Sequence, residues 1–187
     1  IESFLEKFDL LTITAYRDEE SFSGRVYKVR YDETGTRITF LKCLSGVLHV
    51  RDELVYGDHS EKITQIRIYN GKNFKTVNEI VSGQLCAVTG LTEASIGDGI
   101  GVCNEKTIFE LIPTLRSKVV FLDEGVTAKE ALKYFQILDA EDPSLHVFWE
   151  ENRQEIHIHV MGKVQLEVLE KIVEERFKLK VTFAPPE

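Results

Sequence analysis

The period of the hydrophobic pattern changes along this chain, and that change constrains the fold more than any single residue does. Between Ser23 and about Leu91, apolar and β-branched residues occur in short alternating runs that are typical of strands. Beyond Gly101, apolar residues also form two stripes with helical spacing. The sequence therefore predicts two small domains of different class, for which 187 residues are sufficient.

Six short strands are predicted in the first region. Glycine, asparagine, aspartate and serine cluster between them, as they do in turns. Strands of this length and spacing favour a small closed barrel, because closure removes exposed sheet edges. Gly97 to Gly101 is predicted to be a turn at the end of the barrel. The predicted strands are Arg25 to Tyr31, Arg37 to Cys43, Val47 to Val50, Lys62 to Tyr69, Phe74 to Val77 and Leu85 to Leu91.

The second region is predicted to have the order β-α-β-β-α-β, which is a ferredoxin-like α+β sandwich. Thr127 and Glu130 have the spacing of a capping box at a helix start, and Asp142-Pro143 marks the end of that helix. A second helix is predicted from about Lys163 to Phe177. Its residues expected to face the sheet are Val164, Val168, Leu169, Ile172 and Val173. The predicted strands are Lys118 to Leu122, Leu145 to Trp149, Glu155 to Val160 and Lys178 to Phe183.

Three segments follow from this pattern: residues 1–21, the barrel at 22–107 and the ferredoxin-like sandwich at 108–187. The first segment contains a short amphipathic helix, Ile1 to Leu11, that is marginal in water by itself. We therefore expect this helix to end a preceding domain. Because the chain begins with Ile1 rather than Met, we expect it to be part of a longer polypeptide.

Composition indicates the compartment. The sequence has no run of eighteen apolar residues and no secretion signal, so we expect a cytoplasmic protein that does not contact membranes. Cys43, Cys86 and Cys103 are odd in number and widely spaced, which fits neither a disulfide framework nor a Cys-x-x-Cys metal site. They are interpreted as reduced thiols, with Cys43 and Cys86 in the core.

No catalytic, metal-binding or nucleotide-binding residues are predicted in this chain. His157 and His159 alternate on one predicted strand and could share a metal, but we expect them on the solvent side, and no Cys or Asp lies at a ligand spacing. Asp32 to Gly35 matches the Asp-x-x-Gly motif of GTPases, yet here it joins two strands as a turn. A phosphate-binding G-x-x-x-x-G-K-[ST] segment is absent from the sequence.

Charge restricts the choice of partners. The net charge of −8 opposes general nucleic-acid binding, so any contact with RNA must be local. Basic residues nevertheless recur on the predicted barrel hairpins, and as a set they are the best candidates for contacts with RNA phosphate. The set is Arg37, Lys42, His49, Arg51, Lys62, Arg67, Lys72 and Lys75.

Two passages resemble translational GTPases. Leu44 to Asp52 resembles the Tyr-Ser-Gly-Val-Leu-His-Leu-Arg-Asp segment in the second domain of ribosomal protection proteins. Glu141 to Leu145, followed by Met161 to Val168, resembles the third domain of elongation factor G and its relatives. Within the latter passage, residues 163–165 depart from elongation factor G and are similar to the Gly-Lys-Val-Gln-Met-Glu-Val form of the protection proteins. The chain thus resembles domains II and III of tetracycline-resistance ribosomal protection proteins, and Ile1 to about Arg17 resembles the end of their GTPase domain.

The resemblance implies a monomeric factor that binds the ribosome and hydrolyses GTP, with Mg²⁺, in a domain outside this chain. The barrel would dock on small-subunit ribosomal RNA. The ferredoxin-like domain would lie between the GTPase domain and a small-subunit protein. Together they would transmit the GTP state by rigid-body motion, without a catalytic role of their own. The candidate ribosome contacts, from the resemblance and the basic set, are His49, Arg51, Lys72, Lys75, Lys163 and Gln165.

Two alternatives stay open at this point. The longer protein could be elongation factor G or release factor 3, whose barrels are similar, and a tetracycline resistance assay of the full-length gene would separate these. The ferredoxin-like region could instead be a stand-alone regulatory or metal-binding protein, since fold does not fix function. Metal binding that is lost on His157→Ala would favour that second alternative.

Overall fold

The computed structural model describes residues 2–12, 16–18, 20–103, 105–107, 113–122 and 125–187. Internal contacts divide the chain into two compact units. Unit 1 comprises Ile1–Tyr27, Ile38–Ala94 and Asp98–Lys106, and unit 2 comprises Lys28–Arg37, Ser95–Gly97 and Thr107–Glu187. The predicted boundary between residues 107 and 108 adjoins residues 108–112, which lie outside the described residues, and so the segment bounds stay a prediction.

The first part of the chain is one helix followed by short strands. Helix α1 has the predicted amphipathic stripe, but none of its described residues is buried. The elements are α1 (Glu2–Thr12), β1 (Ser23–Tyr31), β2 (Arg37–Ser45), β3 (Val47–His49), β4 (Glu53–Tyr56), β5 (His59–Lys62), β6 (Gln65–Asn70), β7 (Asn73–Val77), β8 (Glu79–Val81), β9 (Leu85–Thr89) and β10 (Gly99–Gly101).

Six of these strands form one antiparallel sheet in the order β10-β1-β2-β9-β6-β7, and the pairs β3-β8 and β4-β5 form two smaller ladders. The β3-β8 ladder follows the β2-β9 ladder after a bend at Gly46, whose φ is +71°. A Cβ atom at Gly46 would lie 2.6 Å from the carbonyl oxygen of Glu20 and from the backbone nitrogen of Phe22. Because this φ is unfavourable for an L side chain and the surrounding backbone leaves no space for a Cβ atom, the bend depends on glycine.

The prediction of six strands before Leu91 was incomplete. Strands β4, β5 and β8 were missed, since they are only three or four residues long and β5 reads His-Ser-Glu-Lys. The interpretation of Gly97 to Gly101 as a turn was wrong in its second half. Residues Gly99–Gly101 are strand β10, which pairs with Ser23 to Arg25 of β1. This pairing outweighs the low intrinsic strand preference of glycine.

Unit 2 contains the predicted ferredoxin-like sandwich. Its four-stranded sheet has the order β12-β13-β11-β14, and both helices contribute to one hydrophobic core with the sheet. Phe135 of α2, Ile156 of β13 and Val173 of α3 are fully or almost fully buried in that core. The elements are β11 (Leu115–Phe121), α2 (Ala128–Glu141), a 3₁₀ helix (Pro143–Leu145), β12 (Phe148–Glu150), β13 (Glu155–Val160), α3 (Lys163–Phe177) and β14 (Val181–Phe183).

The local signals for the helices of unit 2 are confirmed. The Thr127 hydroxyl accepts a hydrogen bond from the Glu130 backbone N–H at 3.3 Å, and the Glu130 carboxylate accepts one from the Thr127 backbone N–H at 3.0 Å. Three details were wrong. The last strand, β14, begins at Val181, because Lys178 is the left-handed C-cap residue of α3. Leu145 lies in the 3₁₀ helix that begins at Pro143, so that β12 starts only at Phe148. Val164 and Val168 are 73% and 50% exposed, because Leu166 and Leu169 occupy the buried side of α3.

The predicted fold class, a mostly β first domain followed by an α+β ferredoxin-like domain, is confirmed. Within the described residues, no helix combines the length and apolar character needed to cross a membrane.

Candidate functional site

The predicted ribosome contacts in unit 1 lie in or beside two turns. His49 ends β3 and Arg51 lies in the turn before β4, whereas Lys72 lies in the turn of the β6-β7 hairpin and Lys75 lies on β7. Lys163 and Gln165 lie at the start of α3 in unit 2. The six residues therefore belong to three local groups, two in unit 1 and one in unit 2.

His49 is engaged by carboxylates. Its Nδ1 lies 3.5 Å from Asp52 and its Nε2 lies 3.4 Å from Glu79, while its backbone N–H donates to Asp52 at 2.7 Å. Both ring nitrogens thus face acidic oxygens. A phosphate approaching this ring would meet two like charges, so His49 is a weaker phosphate contact than the sequence suggested.

Arg51 adopts an unusual backbone conformation on the same turn, with φ of +76°. Its backbone N–H donates to the carbonyl of Ile63 at 3.1 Å, which fixes the turn against the start of β6. The side chain is exposed, and within the described part of the chain it has no hydrogen-bond or ion-pair partner. A guanidinium held out from a rigid turn is suited to bind an external phosphate or carboxylate.

Lys72 and Lys75 lie on the hairpin that ends the six-stranded sheet. Lys72 occupies the two-residue turn with Gly71, and Lys75 pairs with Ile68 across the ladder. Both side chains are exposed, and neither has a hydrogen-bond or ion-pair partner among the residues that the structure describes. These two lysines and Arg51 are therefore available to a partner.

At the start of α3, the N-cap residue is Gly162, which supplies no side-chain hydrogen bond. The amide oxygen of Gln165 instead accepts a hydrogen bond from the backbone N–H of Met161 at 2.9 Å. Gln165 therefore has a local capping role that competes with any contact to a partner. Lys163 is exposed beside it.

The segment that resembles a GTPase motif, Asp32 to Gly35, is a self-contained turn. The Asp32 carboxylate accepts hydrogen bonds from the backbone N–H groups of Thr34 at 3.0 Å and Thr36 at 2.9 Å, and also from the Thr34 hydroxyl. This carboxylate stabilises its own hairpin. The residues present do not fit a γ-phosphate or Mg²⁺ site.

His157 was wrongly expected to face solvent. Its side chain stacks on Phe148 with ring centroids 5.2 Å apart, and the residue is 7% exposed. The Nε2 atom lies 3.2 Å from both Glu150 and Glu155, and Arg116 Nε lies 3.2 Å from Nδ1. The His157 ring is buried because Arg116 of β11 and Phe148 and Glu150 of β12 lie against it. His159 is half-buried, with Nδ1 3.2 Å from the carbonyl oxygen of Pro113.

Glu150, Glu155 and His157 each offer a ligand atom, and these atoms lie within 4.8 Å of one another. The hydrogen bonds nevertheless oppose a metal. Arg116 donates to Nδ1, so the single proton of a neutral imidazole must reside on Nε2, the atom that faces the carboxylates. Lys118 also binds Glu155 at 2.6 Å, and this hydrogen bond is the main reason why the pKa of Glu155 is lowered. The cluster is an ion-pair network that holds three strands together.

Cys43 and Cys86 are buried in unit 1 as predicted, and all three cysteines are free thiols. Burial raises the pKa of Cys43 to about 11, with a further contribution from Asp18, and raises the pKa of Cys86 to about 12. At neutral pH both are protonated, small core side chains rather than reactive thiolates.

The sequence did not predict one exposed apolar surface in unit 2. Met161, Val164 and Val168 are each at least half exposed, just before and along the first two turns of α3. Their spacings of three and four residues could have indicated a second apolar stripe, but the same spacings were assigned to the core side of the helix.

A family model described as elongation factor G domain 2 matches residues 21–103. Tetracycline resistance protein TetP from Clostridium perfringens is 26% identical over 170 residues, which cover 89% of this chain and 26% of that protein. Elongation factor G from Orientia tsutsugamushi (strain Boryong) is 27% identical over 173 residues, covering 90% of this chain and 24% of that protein. The chain thus spans about a quarter of the length of these curated relatives.

A third relative, elongation factor G from Aquifex pyrophilus, is 26% identical over 184 residues, which cover 91% of this chain and 25% of that protein. Among solved structures, a crystal structure of a Thermus thermophilus protein superposes with a TM-score of 0.76 at 18% identity. That alignment covers 99% of this chain and 29% of the other, and it supports the fold of both units.

Proposed function

We propose that this chain is the ribosome-docking and relay part of a GTP-dependent translation factor. The proposal is supported by the similarity of the chain to elongation factor G and TetP, and by the match of residues 21–103 to elongation factor G domain 2. The longer protein would be a cytoplasmic, monomeric GTPase without a membrane contact. GTP and Mg²⁺ would bind its GTPase domain, since this sequence has no phosphate-binding loop.

The observation that carries the proposal is the match over the barrel, together with the exposed cations that the barrel presents. Arg51 lies on the turn between β3 and β4, Lys72 lies on the turn of the β6-β7 hairpin and Lys75 lies on β7, so their positions are set by the paired strands. We assign these residues to small-subunit ribosomal RNA. In unit 2, Lys163 and the start of α3 would face a small-subunit protein or the GTPase domain of the same polypeptide.

Binding to purified bacterial small ribosomal subunits tests this proposal. The chain is expected to sediment with the subunits at low salt and to be displaced by full-length elongation factor G, because both would occupy one site. Failure to sediment, or binding that excess elongation factor G leaves unchanged, would exclude the proposed docking role.

The finer proposal is that the longer protein is a ribosomal protection protein that confers tetracycline resistance. It rests on the sequence Lys163-Val164-Gln165, which resembles the protection-protein form, and TetP is among the relatives. Expression of the full-length gene in a tetracycline-sensitive bacterium should raise the inhibitory concentration of the drug. Rescue of a strain depleted of elongation factor G, without any change in drug tolerance, would instead support an elongation factor G function.

A further inference from the structure

Four aromatic side chains cross the outer face of the six-stranded sheet, and we refer to them as the aromatic row. They are Tyr27 of β1, Phe40 of β2, Tyr69 of β6 and Phe74 of β7. Successive ring centroids are 6.1, 5.4 and 5.3 Å apart, in the order Tyr27, Phe40, Tyr69, Phe74. The rings thus form one continuous surface across strands that are distant in sequence.

The register explains how rings on non-adjacent strands come into contact. Strand β9 lies between β2 and β6, and its residue opposite both Phe40 and Arg67 is Ala87. Since the alanine side chain is a single methyl group, the rings of Phe40 and Tyr69 can meet above it. A larger residue at position 87 would separate them.

The two ends of the aromatic row are open to solvent. Tyr27 is 44% exposed and Phe74 is 47% exposed, whereas Phe40 and Tyr69 are half-buried between them. Large aromatic groups normally bury most of their surface, so an exposed row on a sheet indicates a surface that contacts a partner.

The charge around this row points to a polyanion. The β6-β7 hairpin, residues 65–77, contains Arg67, Lys72 and Lys75 and no aspartate or glutamate, in a chain whose net charge is −8. The guanidinium carbon of Arg67 lies 4.4 Å from the ring centroid of Phe74. The guanidinium lies over one face of Phe74, and the other face of this half-exposed ring together with the cation matches the two parts of a nucleotide, which are a flat base and a phosphate.

We propose that the aromatic row is a binding site for unstacked bases of single-stranded RNA, with Phe74 and Tyr27 as the stacking rings and with Arg67 and Lys72 beside the phosphates. The proposal rests on the proposed docking to ribosomal RNA and specifies its chemistry: an extruded or loop base rather than a duplex. Stacking tolerates any base, so the site selects for single strands rather than for sequence.

The test uses the whole chain and two probes: a 12-nucleotide single-stranded RNA of mixed sequence labelled with a fluorophore, and purified small ribosomal subunits. Phe74→Ala should weaken RNA binding about tenfold or more, as expected for the loss of one base–aromatic stack, whereas Phe74→Trp should retain it. Val55→Ala is the matched control, because Val55 is a similarly exposed apolar residue of unit 1 on strand β4. Thermal unfolding of each variant verifies that it folds, and Tyr27→Ala provides a second variant with the same expectation.

The outcomes separate this site from the docking proposal. RNA binding that is unchanged by both Phe74→Ala and Tyr27→Ala would overturn the site, even if the chain still bound ribosomal subunits. Subunit binding that required Phe74 while the RNA did not bind would identify a protein partner and would also overturn it. RNA binding that depends on Phe74, without any subunit binding, would support the site and contradict the docking role.

Discussion

The barrel hairpins of unit 1 and the sheet of unit 2 both carry basic side chains, but these have different partners. Arg51, Lys72 and Lys75 of the barrel have no ion-pair partner among the described residues. On the sheet of unit 2, by contrast, Arg116 and Lys118 are paired. The nitrogen–oxygen distances are 3.2 Å for Arg116–Glu150 and 2.6 Å for Lys118–Glu155. Arg51, Lys72 and Lys75 are therefore available to an external anion, while Arg116 and Lys118 of the unit 2 sheet stabilise their own fold.

Each unit also contains its own probe of unfolding, so that the stability of the two units can be measured separately. Trp149, the single tryptophan, packs against the core of unit 2. Cys43 and Cys86 are buried in unit 1 and should react with a thiol reagent only when that unit opens. In a Cys103→Ser background, which removes the thiol that is not buried, fluorescence and thiol reactivity thus follow the two units separately.

The largest effect is expected in the core of unit 2. Phe135 is 1% exposed, and Phe135→Ala should destabilise unit 2 by about 3–5 kcal/mol, because it leaves a cavity among α2, α3 and the sheet. Urea unfolding followed by Trp149 fluorescence measures this change. Phe4→Ala, at an exposed position, should change stability by less than about 0.5 kcal/mol. A thiol-reaction midpoint that moves as far as the fluorescence midpoint would show that the units do not unfold independently.

The corresponding substitution in unit 1 is Gly46→Ala. The positive φ and the backbone contact at 2.6 Å should together lower the free energy of unfolding of unit 1 by about 3 kcal/mol. In urea, the buried thiols should then react at a lower denaturant concentration. Gly71→Ala is the control in the same unit, because Gly71 has a similar φ of +64° but no atom within 4 Å of the added Cβ, so it should cost only about 1 kcal/mol. Equal costs at both positions would contradict the steric explanation.

A smaller effect of opposite sign is expected at Thr39. Its hydroxyl is buried without a hydrogen-bond partner among the described residues, so Thr39→Val should stabilise unit 1 by about 1 kcal/mol. Thr89 is the matched control on the neighbouring strand, since its hydroxyl lies 2.7 Å from that of Thr64. Thr89→Val should destabilise by about 1 kcal/mol, and the same sign for both variants would contradict this account.

The smallest effect concerns the paired charges of unit 2. A hydrogen bond from Lys118 lowers the pKa of Glu155, so the ionised carboxylate favours the folded state. The contribution is present above the pKa of the unfolded chain, near 4.5, and is lost as pH falls through the lower folded pKa. The stability difference between the wild-type chain and Lys118→Met should therefore be constant near neutral pH and shrink below about pH 4.5. A difference that does not depend on pH would rule out the ion pair as its cause.

The two units also differed in how well their sequences predicted them. In unit 2, the signals were local: a capping box at Thr127 and an apolar stripe on each helix specified both helices within a residue or two. In unit 1, Gly99–Gly101 is a strand because it pairs with residues about 75 positions earlier, a separation that no local pattern reports. The short strand His59–Lys62 was missed for a different reason: it pairs locally with Glu53–Tyr56, but its sequence is polar and lacks an alternating apolar pattern.

The candidate site residues also differed in how well the sequence predicted their exposure. The exposed positions of Arg51, Lys72 and Lys75 could be predicted, since charged residues on hairpins usually face solvent. The burial of His157 could not, because it results from long side chains on neighbouring strands rather than from its own strand. Likewise, the aromatic row depends on Ala87 of a strand between two aromatic strands, which only the register reveals.

The most direct test of the central claim, that the barrel cations dock on ribosomal RNA, is the salt dependence of binding to small ribosomal subunits. Replacing Arg51 by Asn and Lys72 and Lys75 by Gln should reduce the slope of log K against log salt by about two to three, at roughly 0.7–0.9 per phosphate contact. Replacing Lys129, Lys133 and Lys171 of unit 2 by Gln changes the net charge equally and should leave the slope unchanged. An equal reduction in both triple variants, or none in the barrel variant, would contradict the account.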